Sequence, residues 1–254
     1  MRTEYHLDLR DSGRFGEIWI PPFPNDSGSA LGAACAEMMR RSERWYLDWD
    51  VYCGPALQPE PMPTGWTSRA AELDLVAKLL HAGEPVVFLH GRAELGPRAL
   101  GHRSILAAPV DIRMRDLLNE IKHRESYRPV APVCLAERAA EVFDPGGHDP
   151  FMLFQNGVRS AWRNRVPAVA HADDTARLQT VSPEQEPVLY DLLHRYEQLS
   201  GIPRVAVRTA RCSCSCTAWT TTIIPSSQTR CSRRCTRSAR APRTLPSPKG
   251  DKSY

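Results

Sequence analysis

The apolar positions along the chain change period several times, and each change predicts an element. Residues 17–23 read as a strand, and Pro24-Asn25-Asp26-Ser27-Gly28 turns the chain into a helix of small and apolar residues over 29–39. Pro55, Pro59, Pro61 and Pro63 lie with two glycines in the stretch 54–67, where missing backbone donors and fixed φ block regular structure, so this stretch reads as a linker. Ser68 is placed to cap a helix carrying Leu73, Val76, Ala77 and Leu80, which Gly83 ends in left-handed conformation before an apolar strand over 85–89. Residues 105–110 read as a further strand, Asp111 as the cap of a helix burying Ile112, Leu117, Leu118 and Ile121, and 129–135 as another strand. Ser182-Pro183-Glu184-Gln185 has the form of a capping box with Pro at the first helical position, and Val188, Leu189, Leu192, Leu193, Tyr196 and Leu199 recur at helical period until Gly201. Helix and strand alternate, which predicts an α/β fold.

After Pro203 the period dissolves into Arg, Ser, Thr, Pro and Cys, and charge divides the chain at the same point. The net +4 conceals 11 Lys and Arg against one acid from Arg204 onward, and 22 basic against 28 acidic residues before it. Residues 204–254 therefore read as a low-complexity basic tail, disordered or irregular. Five of its residues are cysteines, at 212, 214, 216, 231 and 235, but the Cys-Ser-Cys-Ser-Cys spacing lacks the gap that paired zinc ligands use. The tail's charge can attract nucleic acid without specificity; the acidic body and the confinement of aromatic interleaving in the tail to Trp219 argue against nucleic acid as the partner. No run of eighteen apolar residues occurs and the start lacks a signal peptide's apolar stretch, so the expectation is a cytoplasmic protein without a membrane partner.

Candidate chemistry concentrates in two basic segments. The first, Gly91-Arg92-Ala93-Glu94-Leu95-Gly96-Pro97-Arg98-Ala99-Leu100-Gly101-His102-Arg103-Ser104, puts three guanidiniums and three glycines between two strands. Glycine lets backbone approach a ligand and Arg presents a planar fork of donors, which suits phosphate or carboxylate oxygens. On local chemistry alone, a solvated loop whose arginines pair with acids such as Glu94 is an equal reading. The second, Lys122-His123-Arg124-Glu125-Ser126-Tyr127-Arg128-Pro129, holds more cations than offsetting a helix dipole requires. If the two converge, they can bind a nucleotide together with a second phosphate compound. Asp26 is placed to cap its helix or to serve as a metal or phosphate-site residue, and the cluster of His171, Asp173, Arg177 and Gln179 reads as a structural network.

Three motifs in order, Pro21-Pro22-Phe23-Pro24-Asn25-Asp26-Ser27-Gly28, residues 91–106 and Lys122-His123-Arg124-Glu125-Ser126-Tyr127-Arg128-Pro129-Val130-Ala131-Pro132, resemble the ATP-dependent O-carbamoyltransferases that include nodulation proteins and antibiotic-tailoring enzymes. The resemblance covers roughly residues 14 to 203. It implies the end of an actin-like ATPase-fold domain over 1–55, a linker over 56–67, a YrdC-like α/β domain over 68–203 and the basic tail. It also implies a reaction in which carbamoyl phosphate and ATP form a carbamoyl adenylate, from which the carbamoyl group passes to the hydroxyl of a small-molecule acceptor. Carried over, Lys122 and Arg128 are the catalytic pair, and Arg98, Arg103, Ser104, Lys122, Arg124 and Arg128 are ligands for carbamoyl phosphate and nucleotide. Asp26 resembles an aspartate that helps hold a divalent metal, iron or another transition metal, beside two histidines without counterpart here. Relatives continue past Ser200-Gly201-Ile202-Pro203 into an Asn-Thr-Ser type motif, where this chain reads Arg204-Val205-Ala206-Val207-Arg208-Thr209-Ala210. A change of reading frame accounts for that departure, with a genuine basic tail as the alternative. An RNA-binding YrdC-like module and a non-functional fragment are the competing functions.

Overall fold

The computed structural model describes residues 9, 12–16, 18, 20–24, 26–42, 44, 46, 49–56 and 72–209. Within them the order is α1 (Asp26–Arg41), α2 (Leu73–His81), β1 (Val86–Leu89), β2 (Arg103–Ala107), α3 (Ile112–Ile121), β3 (Ala131–Leu135), α4 (Ala139–Val142), β4 (Phe143–Asp144), β5 (Asn156–Val158), α5 (Ser160–Arg163), β6 (Thr175–Ala176), β7 (Gln179–Val181), α6 (Pro187–Ser200) and β8 (Arg204–Thr209). The fold is mixed α/β.

Five strands form the main sheet in the order β1-β2-β8-β3-β7, and β4-β5-β6 form a small second sheet. Neighbours in the main sheet are antiparallel except β3 and β7, which run parallel. Helices α2 and α6 pack on one another, α2 touches β1, and α6 touches β3 and β8. Their apolar stripes, Val76, Ala77 and Leu80 of α2 with Leu189, Leu192, Leu193 and Tyr196 of α6, are buried in one cluster with Phe88, Leu106, Val133 and Leu135 from the strands. Burying each Val, Leu or Phe among them contributes about 1.5–3 kcal/mol. Gly201, at φ 65°, ends α6 in the left-handed conformation that its missing Cβ permits.

Several expectations change. The strand expected over 17–23 is absent among the described residues 18 and 20–23, and Glu17 and Trp19 lie outside them. Pro21 and Pro22 cannot donate to a ladder. Phe23 instead anchors a second apolar cluster with Val51, Leu100 and Met152, joining the segment before the linker to the loop after β1. The helix expected over 29–39 begins at Asp26 and ends at Arg41. Ser68 and most of the expected linker lie outside the described residues; the near end, Gly54 to Ala56, is bonded to that same loop through Gly54 N donating to Ala93 O (2.9 Å) and Ala93 N donating to Pro55 O (2.8 Å).

Asp111 does cap α3, its carboxylate accepting from Arg113 N, but the buried residues there are Met114, Leu118 and Asn119, and Ile112 is exposed. The proposed capping box at Ser182 forms a separate turn: α6 starts only at Pro187, with Glu186 at its N-cap. The largest revision concerns Arg204–Thr209. Expected as the start of an irregular tail, these residues form β8 and pair with β2 on one side and β3 on the other. A short alternating run, Val205-Ala206-Val207 between arginines, carries little periodic signal alone, and it is a strand because two neighbours present matching backbone groups. Residues 210–254 lie outside the described part.

Candidate functional site

The loop from β1 to β2 is built around one buried carboxylate. Glu94 accepts hydrogen bonds from the backbone N–H groups of Leu100 (2.8 Å), His102 (2.8 Å) and Arg103 (2.9 Å), and from Nε of Arg103 (2.8 Å). Burial works against its ionisation, but these donors outweigh it and hold the carboxyl below its ordinary range. Arg103, expected to bind phosphate, is thus Glu94's partner. Ser104, also expected there, is buried, and its hydroxyl accepts from Gly101 N (3.1 Å). Neither lines the cavity described next.

Fixing residues 100–103 in this way projects Arg98 from the other half of the loop into a cavity of ≈ 350 Å³, within the size range of small-molecule sites. Four guanidiniums line it: Arg98, Arg124, Arg128 and Arg177. Arg98 donates from Nη1 to Phe151 O (2.7 Å). Burial, and then the charge of Arg177, pulls its pKa down to about 10, against the pull of Asp149. Arg124 is likewise lowered, by burial and then by Arg128, with Glu125 opposing. A cavity lined by several guanidiniums carries a positive potential that favours anions.

The second basic segment reaches this cavity because a buried amide shapes it. Asn119, in α3, donates from Nδ2 to Ser126 O (3.0 Å) and Arg128 O (2.9 Å), clamping the turn that carries Arg124 and Arg128 past the mouth of β3. Arg128 also pairs with Glu125 at 2.6 Å on an exposed surface. Lys122, expected as half of the catalytic pair, is the C-cap of α3 and does not line the cavity.

The third contribution comes from the cluster read from sequence as structural. Arg177 lies in the link between β6 and β7, which connects the two sheets, and its Nε is buried without a hydrogen-bond partner among the described residues. His171 lines the same cavity, and burial holds its imidazole towards the neutral form, with Asp173 pulling the other way and Arg177 adding to the effect. The sequence signal for Arg177 was a lone cation between Ala176 and Leu178 in an otherwise strand-like run. Asp26 stands apart: it is exposed in the first turn of α1. Among the described residues no three His, Cys, Asp or Glu side chains form a group able to hold a metal ion, so these residues do not fit the divalent metal.

Beside the cavity sits a second, self-neutralising cluster. His102 Nε2 meets the Glu186 carboxylate at 2.6 Å, the two side chains nearly fully buried. Tyr52 stacks on the imidazole with ring centroids 3.9 Å apart, and its hydroxyl donates to Leu100 O (3.0 Å). Burial alone lowers the His102 pKa, but Glu186, with the Arg92 carbonyl and Glu94 adding to it, outweighs burial and the net shift is upward. Gln179 completes the support by donating from Nε2 to Leu100 O (2.8 Å).

A family model described as the carbamoyltransferase C-terminus matches residues 77–210, and one described as the carbamoyltransferase N-terminus matches residues 3–35. The chain belongs to the carbamoyltransferase family. The C-terminal match of the carbamoyltransferase model spans the cavity's three contributing segments and runs through β8. Nodulation protein U of Sinorhizobium fredii is 50% identical over 203 residues, 80% of this chain and 36% of that protein. The 3'-hydroxymethylcephem-O-carbamoyltransferases of Amycolatopsis lactamdurans and Streptomyces clavuligerus are 41% and 40% identical, over 75% and 80% of this chain. The chain spans little more than a third of the length of these relatives. No helix among the described residues is long and apolar enough to cross a membrane.

Proposed function

We propose that this carbamoyltransferase-family chain serves O-carbamoyl transfer, and that its arginine-lined cavity holds carbamoyl phosphate and the phosphates of ATP while the carbamoyl group is activated as an adenylate for a hydroxyl acceptor. The observation that carries this reading is the convergence of Arg98, Arg124, Arg128 and Arg177 from three separate segments on one cavity. Bringing two polyanions together costs several kcal/mol of Coulomb repulsion at short range in a partly desolvated site, and fixed guanidiniums offset it without reorganising. Their forked donors suit phosphoryl oxygens, and binding both phosphate compounds side by side converts a bimolecular encounter into a positioned one. In our reading the acceptor-handling part of the reaction belongs largely to the remainder of the longer relatives, of which this chain covers little more than a third. On the same reading the fold is a YrdC-like domain after the end of an actin-like one, and Lys122, at the C-cap of α3, acts on ligands that extend beyond the cavity.

Calorimetric titration of the full chain with carbamoyl phosphate and with ATP tests this. Arg98→Ala and Arg124→Ala should each weaken carbamoyl phosphate binding about tenfold or more, since a hydrogen bond to a charged group contributes roughly 1.5–3 kcal/mol. Unaltered affinity in both variants would remove the site assignment.

A further inference from the structure

The side chains lining the cavity are almost all donors or apolar: four arginines supply N–H groups, while proline, alanine and methionine residues lack a strong acceptor. His171 is the exception, and its protonation pattern follows from its neighbours. The Thr175 hydroxyl lies 2.6 Å from Oδ1 of Asp173. Asp173 is held ionised, with that hydroxyl contact the largest cause, so the single hydroxyl proton goes to the carboxylate. Gln155 Nε2 donates to the same hydroxyl oxygen at 2.6 Å and also reaches Asp173 Oδ2 at 3.4 Å, which fixes the amide with its nitrogen towards the pair. With its proton committed, Thr175 Oγ1 can only accept from His171 Nδ1, 3.1 Å away. The imidazole therefore carries its proton on Nδ1, and Nε2 keeps a lone pair and has no partner among the described residues.

We propose that His171 is a specificity residue of this cavity: held as the Nδ1–H tautomer by Thr175 and Asp173, it offers Nε2 as the acceptor for the amide N–H of the carbamoyl donor. Arginines alone recognise any phosphate. An acceptor set among them distinguishes a ligand bearing NH₂ beside its phosphate from one bearing CH₃, because the amide would otherwise be desolvated unpaired. This inference rests on the carbamoyl phosphate reading of the cavity and adds to it which group reads the carbamoyl end.

Carbamoyl phosphate and acetyl phosphate, equal in shape and charge, are the probes, titrated into the full chain. The wild type should prefer carbamoyl phosphate about tenfold, the discrimination one net hydrogen bond supplies, and His171→Phe should bring the ratio to within about twofold of unity. A preference that survives in His171→Phe, or a wild type that binds both equally well, overturns the role of His171 and leaves the anion site standing. A wild type that binds neither overturns the function reading and this inference with it. Nitrogen-15 NMR of the wild-type imidazole needs no variant to fold: it should show Nδ1 protonated and Nε2 bare, and Thr175→Val should shift that balance. A ring protonated on Nε2 in the wild type overturns the proposal.

Discussion

Arg98 and Arg103 come from the same stretch between β1 and β2, but the two regions they enter handle charge in opposite ways. Around Arg103, carboxylates meet opposite charges: Glu94 collects three backbone donors and a guanidinium, and one oxygen of Glu186 meets His102 while its Oε2 stays buried without a partner among the described residues. Around Arg98, guanidiniums face one another across a cavity, and one of them keeps a buried Nε without a partner. A fold can tolerate the second arrangement because the first holds it in place. Arg103 is satisfied by a buried carboxylate, whereas Arg98 and Arg177 carry their charge into a cavity with other guanidiniums, where burial makes that charge costly.

The largest way to break the contrast is to remove what supports both regions. A chain ending at Pro203 lacks β8, leaving the facing edges of β2 and β3 unpaired in the middle of the sheet, and is expected to lose cooperative thermal unfolding; a chain ending after Ala210 should retain it. Equal melting of the two would contradict the central position of β8. Next comes Glu94→Ala, which strands three buried N–H groups and a guanidinium. A loss of about 3–5 kcal/mol in urea unfolding is expected, the scale for breaking a buried pair from one side. Arg98→Ala should leave stability nearly unchanged while reducing anion affinity, so the two substitutions separate the two regions.

The smallest effect is in the pH dependence of the paired region. Because His102 has its folded pKa raised, its contribution is fully present below its unfolded pKa, near 6.5, and is lost as pH rises through the higher folded value. Wild-type stability should therefore fall relative to His102→Gln above that pH, with a slope of up to about 1.4 kcal/mol per pH unit. Parallel curves for the two proteins would show that the His102–Glu186 contact does not titrate with folding.

Much of the architecture was legible in the sequence because periodic apolar faces decide it. The stripes of α2 and α6 and the apolar run of β1 appear where their patterns place them. The exceptions were positions where tertiary pairing overrides local signal. Phe23 sits in a proline-rich run that cannot form a ladder, and β8 has too few apolar residues to stand out from the basic stretch after it. The candidate site was half legible. Arg98, Arg124 and Arg128 were marked by composition, but nothing local distinguishes Arg103, whose partner is nine residues upstream, from Arg98, whose guanidinium reaches a backbone carbonyl 53 residues away. Arg177 was not marked as part of the cavity because its position there depends on the junction of two sheets.

Carbamoyl phosphate affinity of the wild type, Arg177→Ala and Arg195→Ala compares the cavity with an outside control most directly. Arg195 is already satisfied by Asp74 (2.6 Å) and Asp191 (3.0 Å) on the surface. The account predicts at least about a tenfold loss for Arg177→Ala, from one charge-assisted contact, and wild-type binding for Arg195→Ala. Equal affinities in all three proteins, or equal losses in both variants, would contradict a polyanion site in this cavity.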